Sequence, residues 1–132
     1  SLFLTTDLTN SRNLIRYSLA EAGPIQNIDH NPPGIGTHLA VDSVNKIVYW
    51  ILFTAETSYK IYKTTYDGQT SLIESNQMGS VTTVDIAEGD GYFYILDSMT
   101  SEVSKYNKTT DVAVSTISLS PGAERMIVVA GK

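Results

Sequence analysis

Hydrophobic positions along this chain fall in short bursts of strand length, separated by polar segments rich in Gly, Pro, Asn and Asp. Lys46-Ile47-Val48-Tyr49-Trp50-Ile51-Leu52-Phe53 and Gly91-Tyr92-Phe93-Tyr94-Ile95-Leu96-Asp97 are aromatic and β-branched runs, and Ser1-Leu2-Phe3-Leu4-Thr5-Thr6-Asp7 is a third of the same kind. Side chains of these types favour strands because they pack well on a pleated, half-buried surface. A second set alternates apolar with polar residues at 13–18, 59–64 and 102–106, and a weaker set covers 24–28, 70–74 and 112–118. Residues 11–23 also carry a helical pattern, with Leu14, Ile15, Ser18, Leu19 and Ala22 on one face, Ser11 as N-cap and Gly23 as stop. Their match to the alternating segments at 59–64 and 102–106 assigns Leu14 to Leu19 to a strand instead.

The segments recur in a fixed order. Gly36, Gly79 and Gly122 are spaced 43 apart twice over (79 − 36 and 122 − 79). Gly36 leads Thr37-His38-Leu39-Ala40-Val41-Asp42, Gly79 leads Ser80-Val81-Thr82-Thr83-Val84-Asp85, and Gly122 leads Ala123-Glu124-Arg125-Met126-Ile127-Val128. Turn residues punctuate the units. Asp67-Gly68 predicts a tight two-residue hairpin with positive φ at both central positions. Pro32-Pro33-Gly34 and Ser120-Pro121-Gly122 mark the longer crossings between units. With four strands labelled A to D, the chain reads BCD–ABCD–ABCD–A. A four-stranded unit repeated at this period predicts an all-β fold, a β-propeller with three four-stranded blades per chain in one domain over residues 1–132.

Composition narrows the partners. The 132 residues include 42% hydrophobic and 17% charged residues, enough for a folded core, and the formal net charge is -5. The nine Lys and Arg are scattered, so nucleic acid and anionic membrane surfaces are not the expected partners. The absence of cysteine removes disulfides, thiolate metal sites and cysteine nucleophiles together. No apolar run approaches the ~18 residues that a membrane-crossing helix needs.

One family resemblance stands out. Leu39-Ala40-Val41-Asp42, Val48-Tyr49-Trp50, Lys60-Ile61-Tyr62-Lys63 and Tyr66-Asp67-Gly68 together resemble one repeat of the YWTD β-propeller, the low-density lipoprotein receptor class B type. Val84-Asp85 with the aromatic strand after it, and Phe3-Leu4-Thr5 with Asp7, are weaker copies. Ile51 and Leu52 stand where the Thr and Asp of a full Tyr-Trp-Thr-Asp would be. The resemblance implies six blades, an extracellular or secreted setting and protein ligands.

Catalytic patterns are absent from the sequence: there is no Gly-x-Ser-x-Gly elbow, phosphate loop or His-Glu-x-x-His. Asp42 and Asp85 recur at one period, and capping of their own turns accounts for both. The aromatic cluster Tyr49, Trp50, Tyr92, Phe93 and Tyr94 reads as inter-sheet core in preference to a sugar-stacking platform. His30 lies in a Pro-rich loop and His38 on a first strand; Glu124 and Arg125 lie on a first strand too, the strand that lines a propeller channel. These four are the candidate ligand-binding residues, and Asn107-Lys108-Thr109 is the single glycosylation sequon. The expected function is a non-enzymatic binding or scaffold module for a protein or glycan, with no cofactor. The alternative is a channel-centred hydrolase or lyase in which His38, Glu124 and Asp42 or Asp85 hold a divalent metal.

Three blades cannot close a ring, since propellers run from four blades to about eight. The pattern therefore predicts two chains joined head to tail in a six-bladed ring, residues 125–129 of each completing the first blade of the other. A piece of a longer single-chain propeller would fit the same pattern. One end of the strands collects loops 7–11, 29–36, 54–58, 74–79, 98–101 and 119–122, and this is the expected binding face.

Overall fold

The computed structural model describes residues 2–5, 14–18, 23–26, 35–86 and 91–122. His30, Glu124, Arg125 and the strand expected at 125–129 lie outside the described residues. Among the described residues there are eleven strands: β1 (Leu2–Thr5), β2 (Leu14–Ser18), β3 (Gly23–Gln26), β4 (Ile35–Asp42), β5 (Ile47–Ala55), β6 (Ser58–Thr65), β7 (Thr70–Met78), β8 (Val81–Asp85), β9 (Tyr92–Asp97), β10 (Glu102–Asn107) and β11 (Ala113–Ser118). They form three antiparallel sheets, each a meander in chain order: β1-β2-β3, β4-β5-β6-β7 and β8-β9-β10-β11. No helix occurs among the described residues, and Leu14–Ser18 is a strand paired with β1 and β3.

The leading strands of neighbouring sheets lie against one another, β1 against β4 and β4 against β8. The middle sheet is therefore covered on both faces, which explains why β5 is apolar throughout and not alternating. Val48 to Leu52 are all wholly buried. Tyr49 and Ile51 point into a cluster shared with the third sheet, containing Ala40, Tyr59, Ile61, Val81, Val84, Phe93, Ile95 and Tyr106. Val48, Trp50 and Leu52 point the other way, into a cluster with Tyr62, Leu39, Val41 and Tyr66. Burial of each such side chain contributes roughly 1.5–3 kcal/mol. Aromatic stacking adds shape to both clusters. Tyr49 lies on Phe93 at 4.3 Å and Phe93 on Tyr106 at 4.9 Å, a column that crosses from one sheet to the next. Trp50 stacks on Tyr62 at 5.0 Å, and its Nε1 donates to Thr64 Oγ1 at 2.9 Å.

Three of the connections share one construction. An Asx residue ends the strand, its side-chain oxygen accepts the backbone N–H groups two and three residues on, and the fourth residue on takes positive φ. Asp42 accepts from Val44 and Asn45, with Lys46 at φ 58. Asp97 accepts from Met99 and Thr100, with Ser101 at φ 55. Asn107 accepts from Thr109 and Thr110, with Asp111 at φ 59. The short Asx side chain supplies the turn's missing acceptor locally. The Asp67-Gly68 hairpin departs from expectation. Only Gly68 has positive φ, at 103, and the Gly68 N–H donates to Thr65 O at 2.9 Å while Thr65 N–H donates to Gln69 O. This is a three-residue loop closed by a left-handed glycine, not a two-residue turn.

The last strands of the three sheets differ in how their edges are treated. β3 contains Pro24, and β7 contains Glu74 and two register shifts. All six residues of β11, Ala-Val-Ser-Thr-Ile-Ser, are exposed and uncharged.

Candidate functional site

The strands present two ends. The first gathers the described segments 54–58, 78–80, 98–102 and 119–122; the second gathers the turns at 43–46, 66–69 and 108–112.

At the first end, Asp97 organises the loops. Its Oδ1 accepts N–H groups from Ser80 at 3.0 Å, Met99 at 2.9 Å and Thr100 at 3.3 Å, so one carboxylate ties the crossing into β8 to the β9–β10 turn. Ser98 N–H donates to Ser80 O at 2.9 Å, and Gly79 N–H donates to Thr57 O at 2.9 Å, which fastens the β5–β6 turn to the same junction. Leu119 N–H donates to Ser101 O at 2.7 Å. Gly79 has φ 150, and a Cβ there would lie 1.8 Å from Asp97 Oδ2, so only glycine admits the carboxylate. On this braced frame Met78, Met99 and Leu119 are exposed by 70%, 52% and 37%. Large apolar side chains on loops whose backbone is already fixed offer contact area to a partner. Nothing in the sequence separated these two methionines from buried ones, and Asp97 looked like any strand-end aspartate.

At the second end, two ion pairs cross between the middle and third sheets. Lys108 Nζ lies 2.9 Å from Asp42 Oδ2, with side chains only 8% and 3% exposed, and Lys63 Nζ lies 2.6 Å from Asp111 Oδ2. Burial alone would raise the Asp42 pKa; hydrogen bonds from Asn45 and Lys108, together with the Lys108 charge, outweigh it and hold the carboxyl below its usual range. The Tyr49 hydroxyl and Asp111 Oδ1 are buried with no hydrogen-bond partner among the described residues.

Of the residues singled out from sequence, His38 is described on β4. It is exposed, at a register shift between Thr37 and Leu39, where a bulge leaves it without a partner residue on β5. Partial desolvation of its ring lowers its pKa from the ordinary histidine value. Asn107 lies at the second end, its carboxamide oxygen committed to the 108–112 turn. Asp42 is committed to its own turn and to Lys108, and Asp85 Oδ1 accepts from the Ile86 N–H at 2.9 Å. Among the described residues no group of three His, Asp or Glu side chains is placed to hold a metal ion. Tyr49, Trp50 and Phe93 are wholly buried between sheets, so they cannot form a stacking platform for a sugar. No helix among the described residues is long and apolar enough to cross a membrane.

No family model and no curated protein matches the sequence. Among solved structures, the chain is similar to one from the crystal structure of a nidogen/laminin complex. The two share 18% sequence identity and superpose with a TM-score of 0.63 over 83% of this chain, which spans 40% of the length of that one. At this identity the likeness concerns the fold: an all-β, propeller-like arrangement of antiparallel sheets.

Proposed function

We propose that the chain is a non-enzymatic binding module, a set of propeller blades of the YWTD kind that presents its first end to a protein ligand in an extracellular setting. The observation that carries this reading is the exposure of Met78, Met99 and Leu119 on loops that Asp97 and Gly79 brace together. Methionine is enriched at protein interfaces, and a fixed apolar patch loses little entropy on docking. A protein ligand fits better than a glycan, since the fully buried aromatics serve the core. His38 adds a polar group on the inner strand of the same module, and a second copy of the chain is assigned as the partner that completes a six-bladed ring.

Two measurements test this. Light scattering should give twice the 14.4 kDa of the chain, and a stable monomer would remove the ring-closing copy from the proposal. Any protein found to bind should lose affinity for the Met78→Asp, Met99→Asp double variant while still binding a Lys46→Glu, Thr109→Asp variant altered at the second end. The opposite pattern would place the ligand on the wrong face.

A further inference from the structure

Exposed apolar side chains occur at both ends, Val44 and Val112 at the second among them, but the charge is uneven. The described segments of the first end, 54–58, 78–80, 98–102 and 119–122, contain two acids, Glu56 in the β5–β6 turn and Glu102 at the start of β10, and no cation. Lys46, Lys63 and Lys108 all lie toward the second end, the latter two tied into ion pairs there. Lys60 lies within β6, and Lys105 lies within β10 with its Nζ 4.0 Å from the centre of the Tyr92 ring. The chain as a whole carries a formal net charge of -5, so the field at this end is reinforced and not cancelled.

An end that exposes Met78, Met99 and Leu119 and carries acids but no cation among its described segments is complementary to one class of protein surface. We infer that the partner presents an apolar contact flanked by Lys or Arg, its aliphatic or aromatic side chain seated on Met78, Met99 and Leu119 and its cations facing Glu56 and Glu102. This inference rests on the binding-face reading and adds the chemistry of the ligand. The division of labour follows from magnitudes. Exposed ion pairs contribute little to affinity but steer encounter and disfavour acidic surfaces, whereas burial of the flexible methionines supplies most of the holding energy. A uniformly acidic or purely polar partner would gain neither.

The test uses the intact chain, labelled for amide NMR, and three short synthetic peptides of equal length: leucine with arginine, leucine with glutamate, and glycine and serine with arginine. The leucine–arginine peptide should shift the amides of Ser80, Met99 and Thr100 and bind at least about tenfold more tightly than either control. Met78→Ser with Met99→Ser should weaken that binding roughly tenfold. Glu56→Gln with Glu102→Gln should weaken it a few-fold and flatten its dependence on salt. Equal binding of the leucine–glutamate peptide at the same amides would overturn the partner chemistry while leaving the face itself standing. Shifts confined to the turns at 43–46, 66–69 and 108–112, or no shifts with any peptide, would overturn both.

Discussion

Replacing Gly79 by alanine is the sharpest single test of how the loop frame is held. A Cβ at this position would lie 1.8 Å from Asp97 Oδ2 and 2.7 Å from its Cγ, where ordinary contact begins near 3.4 Å. The neighbour is the head of a side chain 7% exposed, so it must leave its site. Its departure strands the N–H groups of Ser80, Met99 and Thr100, which are partly buried, at a cost of about 2–3 kcal/mol in total. A non-glycine residue at φ 150 adds about 1–2 kcal/mol of backbone strain. The sum, about 4 kcal/mol, corresponds to a fall in Tm of about 10–16 °C for a chain of this size. Chemical denaturation of Gly79→Ala, Asp97→Ala and the double variant separates the terms. With Asp97 already truncated, Gly79→Ala should cost only the backbone part, giving a coupling of about 2 kcal/mol or more. Loss of less than about 0.5 kcal/mol in the single variant, or strict additivity in the cycle, would refute the account.

Three further outcomes follow from the seam between the middle and third sheets. Lys108→Met should destabilise the fold by about 3 kcal/mol, because it leaves Asp42 buried without its cation, and restoring neutrality with Asp42→Asn should recover part of the loss in a denaturant titration. Tyr49→Phe removes a buried hydroxyl with no partner among the described residues, so Tm should stay level or rise; a drop of several degrees would show that the hydroxyl is satisfied. Burial, with the nearby Asp97 and Glu74 charges, pushes Tyr59 up to about 12, and burial first and neighbouring groups second raise Tyr49 and Tyr106 as well. These tyrosines release protons more readily when unfolded. Their contribution is therefore complete below the ordinary tyrosine pKa of 10.0 and is lost at higher pH, the Tyr59 part as pH rises through about 12, which denaturation midpoints across that alkaline range would record.

What could be read from the residues and what could not divides along the range of the interactions. The strands were legible because runs such as Ile47 to Phe53 and the alternation at 59–64 are local signals, and the repeat register settled Leu14–Ser18 against a helical pattern of similar strength. Asp42 was legible as a turn cap because its partners are two and three residues away. Its bond to Lys108, 66 residues on, was not, since nothing near either residue announces the other. The Asp67-Gly68 turn was half legible: the glycine takes the left-handed conformation as expected, but the loop length was set by the pairing of Thr64 with Thr70. At the candidate face, exposure decided the matter. His38 was legible as a polar residue on the leading strand of its sheet, whereas Met78, Met99 and the bracing role of Asp97 depend on which loops meet, a property of the assembled sheets.

The placement of Trp50 gives the molecule a built-in optical reporter. It is the one tryptophan in the chain, and it belongs wholly to the cluster of Val48, Leu52 and Tyr62 on one side of the middle sheet. The tyrosine–phenylalanine column of Tyr49, Phe93 and Tyr106 lies on the other side and contains no indole. Fluorescence excited at the indole edge therefore reads one interface, while near-ultraviolet dichroism of the tyrosines is weighted toward the other. Coincident melting curves from the two signals would mean that the sheets come apart as a unit; separated curves would reveal which junction opens first.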